Sequence, residues 1–574
     1  MPIHNSDIAD IFNEIADLLE IEEADPFRVR AYRRAAMSVE NLSNELSESV
    51  KNGEDLTKLP GIGKSIAEKI KEIVETGKLK QLEDIRKKTP AELGEMMKIG
   101  GLGPKRVEAL HEKLHIDSMA DLRKAVKKHE IRELEGFGEK TEEKIKEELE
   151  RGAEREQRTS LYRAEEFAKP LVRLLEDVKG VDKVIVAGSY RRRKETVGDL
   201  DILVTCKNSE PVMKAFTGFD DVDKVLSKGS TRSSVRLRSG LQVDLRVVED
   251  KSYGAALQYF TGSKEHNIKI RERAMSRKLK INEYGVFPEG KEKSIAGATE
   301  EEVYKTVDLP YIEPELRENR GEIEAAEKKK LPKLITLKDL KGDLHTHTKY
   351  SDGANSIKEM AKAAKEKGYA YIGITDHSKR VTVAGGMKED ELAAQLDEID
   401  KIQEDFDDLT ILKGCEVDIL DDGSLDMPDS ILKRLDFTVC SIHYKFNLSR
   451  KEQTERIIKA MDNPYFTILG HPTGRQTPER GEMDLDMEKL MDAALDRGCY
   501  MELNSTPKRL DLRDVYCKMA KDLGLKLSIS TDAHSTNHLD FIRYGMDQAR
   551  RGWLEAGDVL NTRSIKELKK LLKR

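Results

Sequence analysis

The chain has 574 residues, 36% of them charged and 38% apolar, with a formal net charge of −7 at pH 7. That length calls for several domains rather than one core, and no run of about 18 apolar residues exists to span a bilayer. A net negative chain excludes nucleic-acid binding driven by bulk charge and leaves that task to local patches and backbone geometry. The five cysteines, Cys206, Cys415, Cys440, Cys499 and Cys517, show no CxxC spacing, which fits a reducing cytoplasm and no disulfide framework. The acidic, amphipathic start, MPIHNSDIADIFNEIADLLE, is not a secretory signal.

Residues 1–150 read as helices. Within them LPGIGKSIAEKI (59–70), IGGLGPKRVEAL (99–110) and LEGFGEKTEEKI (134–145) repeat one template: Gly, an apolar residue, Gly, and another apolar residue seven positions later. The glycine pairs are Gly61 and Gly63, Gly101 and Gly103, and Gly136 and Gly138. A turn without Cβ atoms lets backbone N–H groups approach a phosphate. This is the helix-hairpin-helix signature, a grip on DNA backbone that does not read sequence. The competing reading is three ordinary helix–turn connections.

From about residue 183 the pattern changes to short strands, VDKVIVAGS, LDILVT and LQVDLRVV. The first ends in a Gly188-Ser189 turn. Asp199 and Asp201 lie two apart on the second, so both carboxylates share a face. Asp244 sits on the third, which can pair alongside. Clustered carboxylates repel unless cations lie between them, and two hard divalent ions would satisfy them. The pattern predicts an α+β nucleotidyltransferase, with Ser189 and Arg192 placed to hold phosphate oxygens. Otherwise the stretch is a basic turn beside an edge strand with exposed acids. Residues 313–338 are charged and carry Pro and Gly, which predicts a linker.

After residue 339 short apolar strands recur between helical stretches, and most end in a histidine or an acid. Their ends supply His345 and His347 (with Asp352 in the following loop), Asp376 and His377, Glu416, His443, His471, Asn504, and Asp532 with His534. Seven strand ends in strand–helix alternation predict a closed or nearly closed α/β barrel whose C-terminal strand ends converge on one face. Mixed imidazole and carboxylate donors favour Zn²⁺, Mn²⁺ or Fe²⁺ over Mg²⁺. So many donors exceed the needs of one ion and predict a trinuclear cluster, which would bind a phosphate and activate water against it. Cys415 and Cys440 alternate to the opposite face and read as core.

GSYRRRKETVGDLDILV, VDLRVV and YFTGSKEHNIKIRERA together resemble the family X DNA polymerases. HTHxxxSDG, TDH, GCE, SIH, LGHP and TDAH, in that order, resemble the PHP (polymerase and histidinol phosphatase) domain. The combination implies a multidomain chain: an N-terminal all-α helix-hairpin-helix region (a lyase-like domain at 1–90, a duplex-binding region at 91–150), a nucleotidyltransferase palm at 151–260, a thumb-like nucleotide-selection subdomain at 261–318, a linker at 319–338, and a distorted seven-stranded PHP barrel at 339–574. By this resemblance Asp199, Asp201 and Asp244 hold two Mg²⁺ or Mn²⁺ ions, and Asp244 assists deprotonation of the primer 3′-hydroxyl. Gly188, Ser189 and Arg192 meet the incoming triphosphate. Tyr259, Phe260 and Gly262 line the nucleotide pocket, Asn267 faces the base and Arg271 touches the template. The barrel ligands are His345, His347, Asp352, His377, Glu416, His443, His471, Asp532 and His534, with Asp376 supporting His377 and with Arg475 and Lys379 near the rim.

Lys69 falls where lyase-active members of the family carry a Schiff-base nucleophile, and Tyr32 matches a nearby tyrosine. Arg28, Ser65 and Gln81, however, stand where those members carry lysine, and Lys69 also reads as a solvated helix residue. The implied function is a cytoplasmic, monomeric repair enzyme, its protein partners left open, that fills short gaps in DNA with deoxynucleotides and trims 3′ ends with its barrel. 3′-Phosphate removal and cleavage at abasic sites are related outcomes of the same chemistry. The alternatives are a small-molecule phosphatase barrel fused to a DNA-binding module, and a non-catalytic DNA scaffold.

Overall fold

The computed structural model describes residues 3, 5–40, 46–59, 62–97, 99, 102–155, 158–477 and 480–573. They fall into two compact units, one formed essentially by the first 157 residues and the other by most of 158–574.

In the first unit every element among the described residues is helical. Ile8, Phe12, Ile15 and Leu19 recur at helical spacing along Asn5–Ile21 and are buried, so one stripe of that helix forms the core. The three repeats take the expected form where they are described. Helices Lys64–Thr76, Pro104–Leu114 and Glu139–Arg155 each begin directly after the second glycine of a repeat. The apolar residue seven positions beyond that glycine, Ile70, Leu110 or Ile145, is fully buried. Gly61 and Gly101 lie outside the described residues.

The second unit opens with a five-stranded sheet in the order Val181–Val186, Asp199–Cys206, Gln242–Val247, Arg232–Leu237, Val222–Lys228. Asp199–Cys206 and Gln242–Val247 run parallel, and the remaining pairs are antiparallel. Leu200, Ile202 and Val204, with Val243 and Leu245 beside them, pack on Phe167, Leu171, Val212 and Phe216 of two helices. The two-residue period of a strand therefore sends Asp199, Asp201 and Asp244 to the other face. There Leu203 packs on Ala256 and Leu257 of the helix Tyr253–Thr261.

The segment 319–338, expected to be a linker, is held in place by buried residues. It carries a helix, Glu322–Glu327. Glu322 is fully buried, 2.7 Å from His266 Nδ1, and accepts from the backbone N–H groups of Asn319 and Arg320. Leu334 and Ile335 are buried as well. The dense surface charge concealed a few inward residues that fasten the segment down.

The last part of the chain is a barrel of parallel strands. Gly342–Thr346, Tyr371–Ile374 and Thr410–Lys413 form one sheet; Glu416–Asp418, Val439–Ser441, Ile468–Leu469, Tyr500–Asn504 and Leu527–Ser530 form the next. The seven expected strand runs are present, the third broken at Gly414-Cys415. Its first half pairs with Tyr371–Ile374 and its second with Val439–Ser441. A Cβ at Gly414 would lie 2.6 Å from the Thr375 methyl, so only glycine lets the chain cross over there. Bridges Thr346–Ala533 and His377–Glu416 close the ring. Cys415 and Cys440 are fully buried in the core, as their alternation predicts.

Candidate catalytic centres

Parallel pairing sets Asp201 directly opposite Asp244, with Asp199 two residues away on the same face. Burial first, then the charges of Asp199 and Asp244, push the Asp201 carboxyl up to about 7, and burial and Asp244 also raise Asp199. Asp244 is oriented by its neighbours: the Ser234 hydroxyl donates to one oxygen, and the Gln242 amide donates to the other at 2.9 Å. Gly188, at φ +61°, turns the chain from the first strand into the short helix Gly188–Arg191. A Cβ on it would meet Asp201 Oδ2 at 2.8 Å, so glycine is needed both for the left-handed backbone and for the close approach.

The three arginines that follow go to different places. Arg191 is an internal brace, donating to Thr261 Oγ1 at 2.7 Å and to both Glu300 oxygens at 3.0 and 2.6 Å. Arg192 donates through Nη1 to the Thr261 carbonyl at 2.5 Å and through Nε to Glu318 at 3.0 Å. Arg193 turns toward Glu165 and Asp547. Gly262 also has a left-handed φ, +69°, and the Arg192 guanidinium lies 3.2 Å from where its Cβ would be. Phe260 carries the Arg246 guanidinium 4.5 Å above its ring and meets Tyr259 edge-on. The Asn267 amide donates to the Tyr259 carbonyl and accepts from Gln258, both at 2.7 Å. Arg271 is exposed one helical turn further on.

In the helical unit Gly63 and Gly103 cap their helices, and Gly136 and Gly138 flank the third turn. A Cβ on any of these four would meet nothing within 4 Å, so the glycines leave open backbone rather than internal packing room. Lys69 lies in a cleft of about 560 Å³ lined also by Arg28, Ser65, Lys80, Gln81 and Lys88. Its ammonium donates to Ser65 Oγ at 2.8 Å, and the Tyr32 hydroxyl donates to Gln81 at 2.7 Å.

At the barrel's C-terminal face five imidazoles form a closed circuit. Successive centroids of His345, His347, His377, His443 and His471 are 5.1, 4.5, 5.2 and 5.3 Å apart, and 6.1 Å closes the ring. Glu416 stands among them, its oxygens 3.4, 3.6, 2.8, 3.3 and 2.9 Å from nitrogens of those same five. Burial works against the Glu416 anion, yet His377, His443 and His345 hold its carboxyl well below the usual range. Donor atoms of His345, His347 and Asp532 lie within 4.8 Å of one another; so do those of His377, Glu416 and His443, and those of His347, Asp352 and His377. His534 stands two residues beyond Asp532, past the strand Leu527–Ser530. His471 and Asp532 have positive φ, 25° and 54°, a conformation costly for non-glycine residues and typical of sites where side-chain direction matters.

Residues 163–258 match the DNA polymerase beta palm and 256–318 the DNA polymerase beta thumb. Residues 343–506 match the PHP domain, 3–79 a helix-hairpin-helix domain and 93–151 a SAM-like helix-hairpin-helix tandem. The chain is 37% identical over 574 residues to the DNA polymerase/3′-5′ exonuclease PolX of Bacillus subtilis (strain 168), covering 100% of both chains. It belongs to the family X DNA polymerases that carry a C-terminal PHP domain. Two further relatives match part of the chain. A probable phosphatase of Thermoanaerobacter sp. (strain X514) is 31% identical over 242 residues, 40% of this chain and 94% of that one. DNA polymerase lambda of Arabidopsis thaliana is 28% identical over 352 residues, 55% and 62% of the two chains.

Palm and PHP domains depend on divalent metal ions, and the residues present fit them. In the palm, three carboxylates crowd together so that Asp201 resists ionisation unless a cation neutralises the group. In the PHP domain the buried His345 Nε2, His443 Nε2 and Glu416 Oε2 converge without making a hydrogen bond of proper geometry. Buried polar atoms are ordinarily paired, and nitrogen and oxygen donors left over in this way suit a first-row divalent ion.

Sequence reasoning missed the groups that aim these PHP donors. His345 Nδ1 lies 2.7 Å from Glu502, whose second oxygen accepts from His471 N–H at 2.7 Å. Asp418 lies 3.0 Å from His443 Nδ1. Asp343 accepts from the Thr531 hydroxyl and from His345 N–H. Glu502 and Asp418 each sit two residues from a residue singled out in the sequence, Asn504 and Glu416, on the same strand face; that spacing was the available signal. Asp376 differs from the expectation that it supports His377. Its oxygens accept from Thr348, Ser351 and Gln395, so it fastens the loop that carries Asp352. Lys379 pairs with Glu389 at 2.6 Å, and Arg475 is buried, 3.9 Å from Glu482.

Proposed function

We propose that this enzyme fills short gaps in DNA by template-directed deoxynucleotide addition and removes nucleotides from 3′ ends with its PHP domain. The observation that carries the reading is the presence of two separate donor sets, each suited to metal-assisted chemistry at phosphorus. One is the Asp199, Asp201 and Asp244 cluster; the other is five histidines around Glu416.

In the palm Asp199, Asp201 and Asp244 would hold two Mg²⁺ or Mn²⁺ ions. When bound, such ions offset charge on the triphosphate and favour loss of the 3′-hydroxyl proton. Ser234 and Gln242 keep the Asp244 carboxylate turned toward that hydroxyl. Gly188, Ser189 and Arg192 receive the triphosphate, Arg192 with a planar fork suited to phosphate oxygens. Tyr259, Phe260 and Gly262 form the nucleotide pocket, Asn267 is held toward the base edge by Tyr259 and Gln258, and Arg271 meets the template. The glycine turns at 61–63, 101–103 and 136–138 grip DNA backbone. In the PHP domain His345, His347, Asp352, His377, Glu416, His443, His471, Asp532 and His534 would hold three Mn²⁺, Zn²⁺ or Fe²⁺ ions, with Glu502, Asp418 and Asp343 aiming the donors. The enzyme works as a monomer in the cytoplasm.

The phosphatase likeness favours a second reading, a PHP domain acting on small phosphate esters. Full-length Asp199→Ala enzyme, given Mn²⁺ and either 5′-labelled single-stranded DNA or histidinol phosphate, separates the two. We expect stepwise shortening of the DNA; release of phosphate from histidinol phosphate with the DNA intact would overturn the nuclease reading. The cleft around Lys69, where Arg28, Lys80 and Lys88 stand among Glu22, Glu68, Glu72 and Asp84, leaves room for a lyase activity as well. Borohydride should trap the wild-type chain, but not Lys69→Ala, on DNA bearing a 5′-deoxyribose phosphate; equal trapping of both would remove Lys69 from the role.

A further inference from the structure

The helix Ile542–Arg551, in the PHP half of the chain, is seated on the palm. Tyr544 belongs to the palm's apolar core, its hydroxyl donates to Glu165 at 3.2 Å, and Arg543 pairs with the same carboxylate at 2.7 Å. Asp547 faces Arg193 at 3.8 Å. At the end of the helix Arg551, only 2% exposed, reaches Arg192 itself. Its Nη1 donates to the Arg192 carbonyl at 2.7 Å and to Glu318 Oε1 at 3.0 Å, and its Nη2 donates to Asp514 at 2.7 Å. Arg320 also donates to Asp514, at 3.0 Å.

The Glu318 oxygen that receives Arg551 is the one that receives Arg192 Nε. One carboxylate oxygen is therefore divided between a guanidinium of the PHP half and the guanidinium read above as the triphosphate ligand. Left to Arg192 alone, Glu318 would form a tight, partly buried ion pair with it, since both side chains are only about a tenth exposed, at 12% and 11%. Such a pair competes directly with a triphosphate for the same guanidinium. A second cation on Glu318 lowers its hold on the first.

We propose that Arg551 is a positioning residue for nucleotide addition: by sharing Glu318 it keeps Arg192 available to the incoming triphosphate. The PHP half thereby takes part in synthesis without touching the substrate. This rests on the reading of Arg192 as a triphosphate ligand, so Arg192→Ala is the control for that reading and must itself raise the nucleotide KM.

The experiment is steady-state incorporation at a single-nucleotide gap by full-length protein, with 3′-end degradation measured on the same preparations. Arg551→Met should raise the KM for the incoming nucleotide about tenfold, the equivalent of one charged hydrogen bond redirected. Its kcat should change less than KM, and DNA degradation should be unaffected. Glu318→Gln alone should lower that KM, and Glu318→Gln added to Arg551→Met should return it to wild-type or below, because no anion is left to capture Arg192. A merely structural role for Arg551 predicts no such rescue. An unchanged KM in Arg551→Met, or a raised KM that Glu318→Gln fails to restore, overturns the proposal. Should Arg551→Met not fold, Glu318→Gln alone decides: a raised KM there also overturns it. If Arg192→Ala leaves KM unchanged, the reading of Arg192 fails instead.

Discussion

Replacing Gly188 by alanine tests how closely the palm is built around Asp201. The new Cβ would lie 2.8 Å from Asp201 Oδ2, whereas ordinary contact begins at 3.4 Å. Backbone or carboxylate must therefore yield by about 0.6 Å. The backbone gives little: φ is +61°, and a left-handed non-glycine residue costs about 1–2 kcal/mol before any contact is counted. That cost is small beside a domain stability of about 5–15 kcal/mol, so the variant should fold. The carboxylate then moves, and a misplacement near 1 Å at a reacting centre can cost about a hundredfold in rate. Single-turnover incorporation on gapped DNA should fall by about ten- to a hundredfold. Melting temperature should drop only slightly and 3′-end degradation should persist. Incorporation within about twofold of wild type would show that Asp201 has room the geometry denies, and equal loss of both activities would point to general unfolding.

Glu502→Ala removes the acceptor beside His345 Nδ1 and His471 N–H. Mn²⁺ titration of DNA degradation should shift to about 10–100-fold higher metal with extension unchanged, and an unshifted curve would show that the rings are aimed by packing alone. Asp547, 17% exposed, has its carboxyl pushed up to about 7 by burial, with Glu315 and Glu165 adding to the rise and Arg193 and Arg543 opposing it. A carboxyl whose folded-state value exceeds its unfolded one binds its proton more tightly in the folded state, so its contribution to stability is lost as pH rises from about 4 toward 7. Urea unfolding between pH 5 and 8 should show wild-type stability declining more steeply with pH than Asp547→Asn; the ceiling on the difference over that range is about 3 kcal/mol. Parallel profiles would mean that Arg193 keeps the group ionised.

The clustered carboxylates and imidazoles were legible because their chemistry conflicts with their surroundings. Asp199, Asp201 and Asp244 interrupt apolar strands, and His345, His377, His443 and His471 end them; a two-residue period and strand–helix alternation then dictate which face each takes. What stayed hidden depended on pairing between distant residues. Glu318 and Arg551 are 233 positions apart, and nothing local distinguishes either from a solvated surface charge. Glu322 reads as one more acid in a charged linker, and its partner His266 lies 56 positions away. The break at Gly414-Cys415 was invisible because ILKGCEV reads as one apolar run, and only the partners on either side divide it.

The most direct test of the central claim, two independent active sites acting on one 3′ end, is a primer assay on gapped DNA with a 5′ label. Wild type, Asp199→Ala and His345→Ala are compared with nucleotides present and absent. Asp199→Ala should shorten the primer and never extend it; His345→Ala should extend it and never shorten it. Shortening by His345→Ala at the wild-type rate, or loss of both activities from either single substitution, would contradict the account.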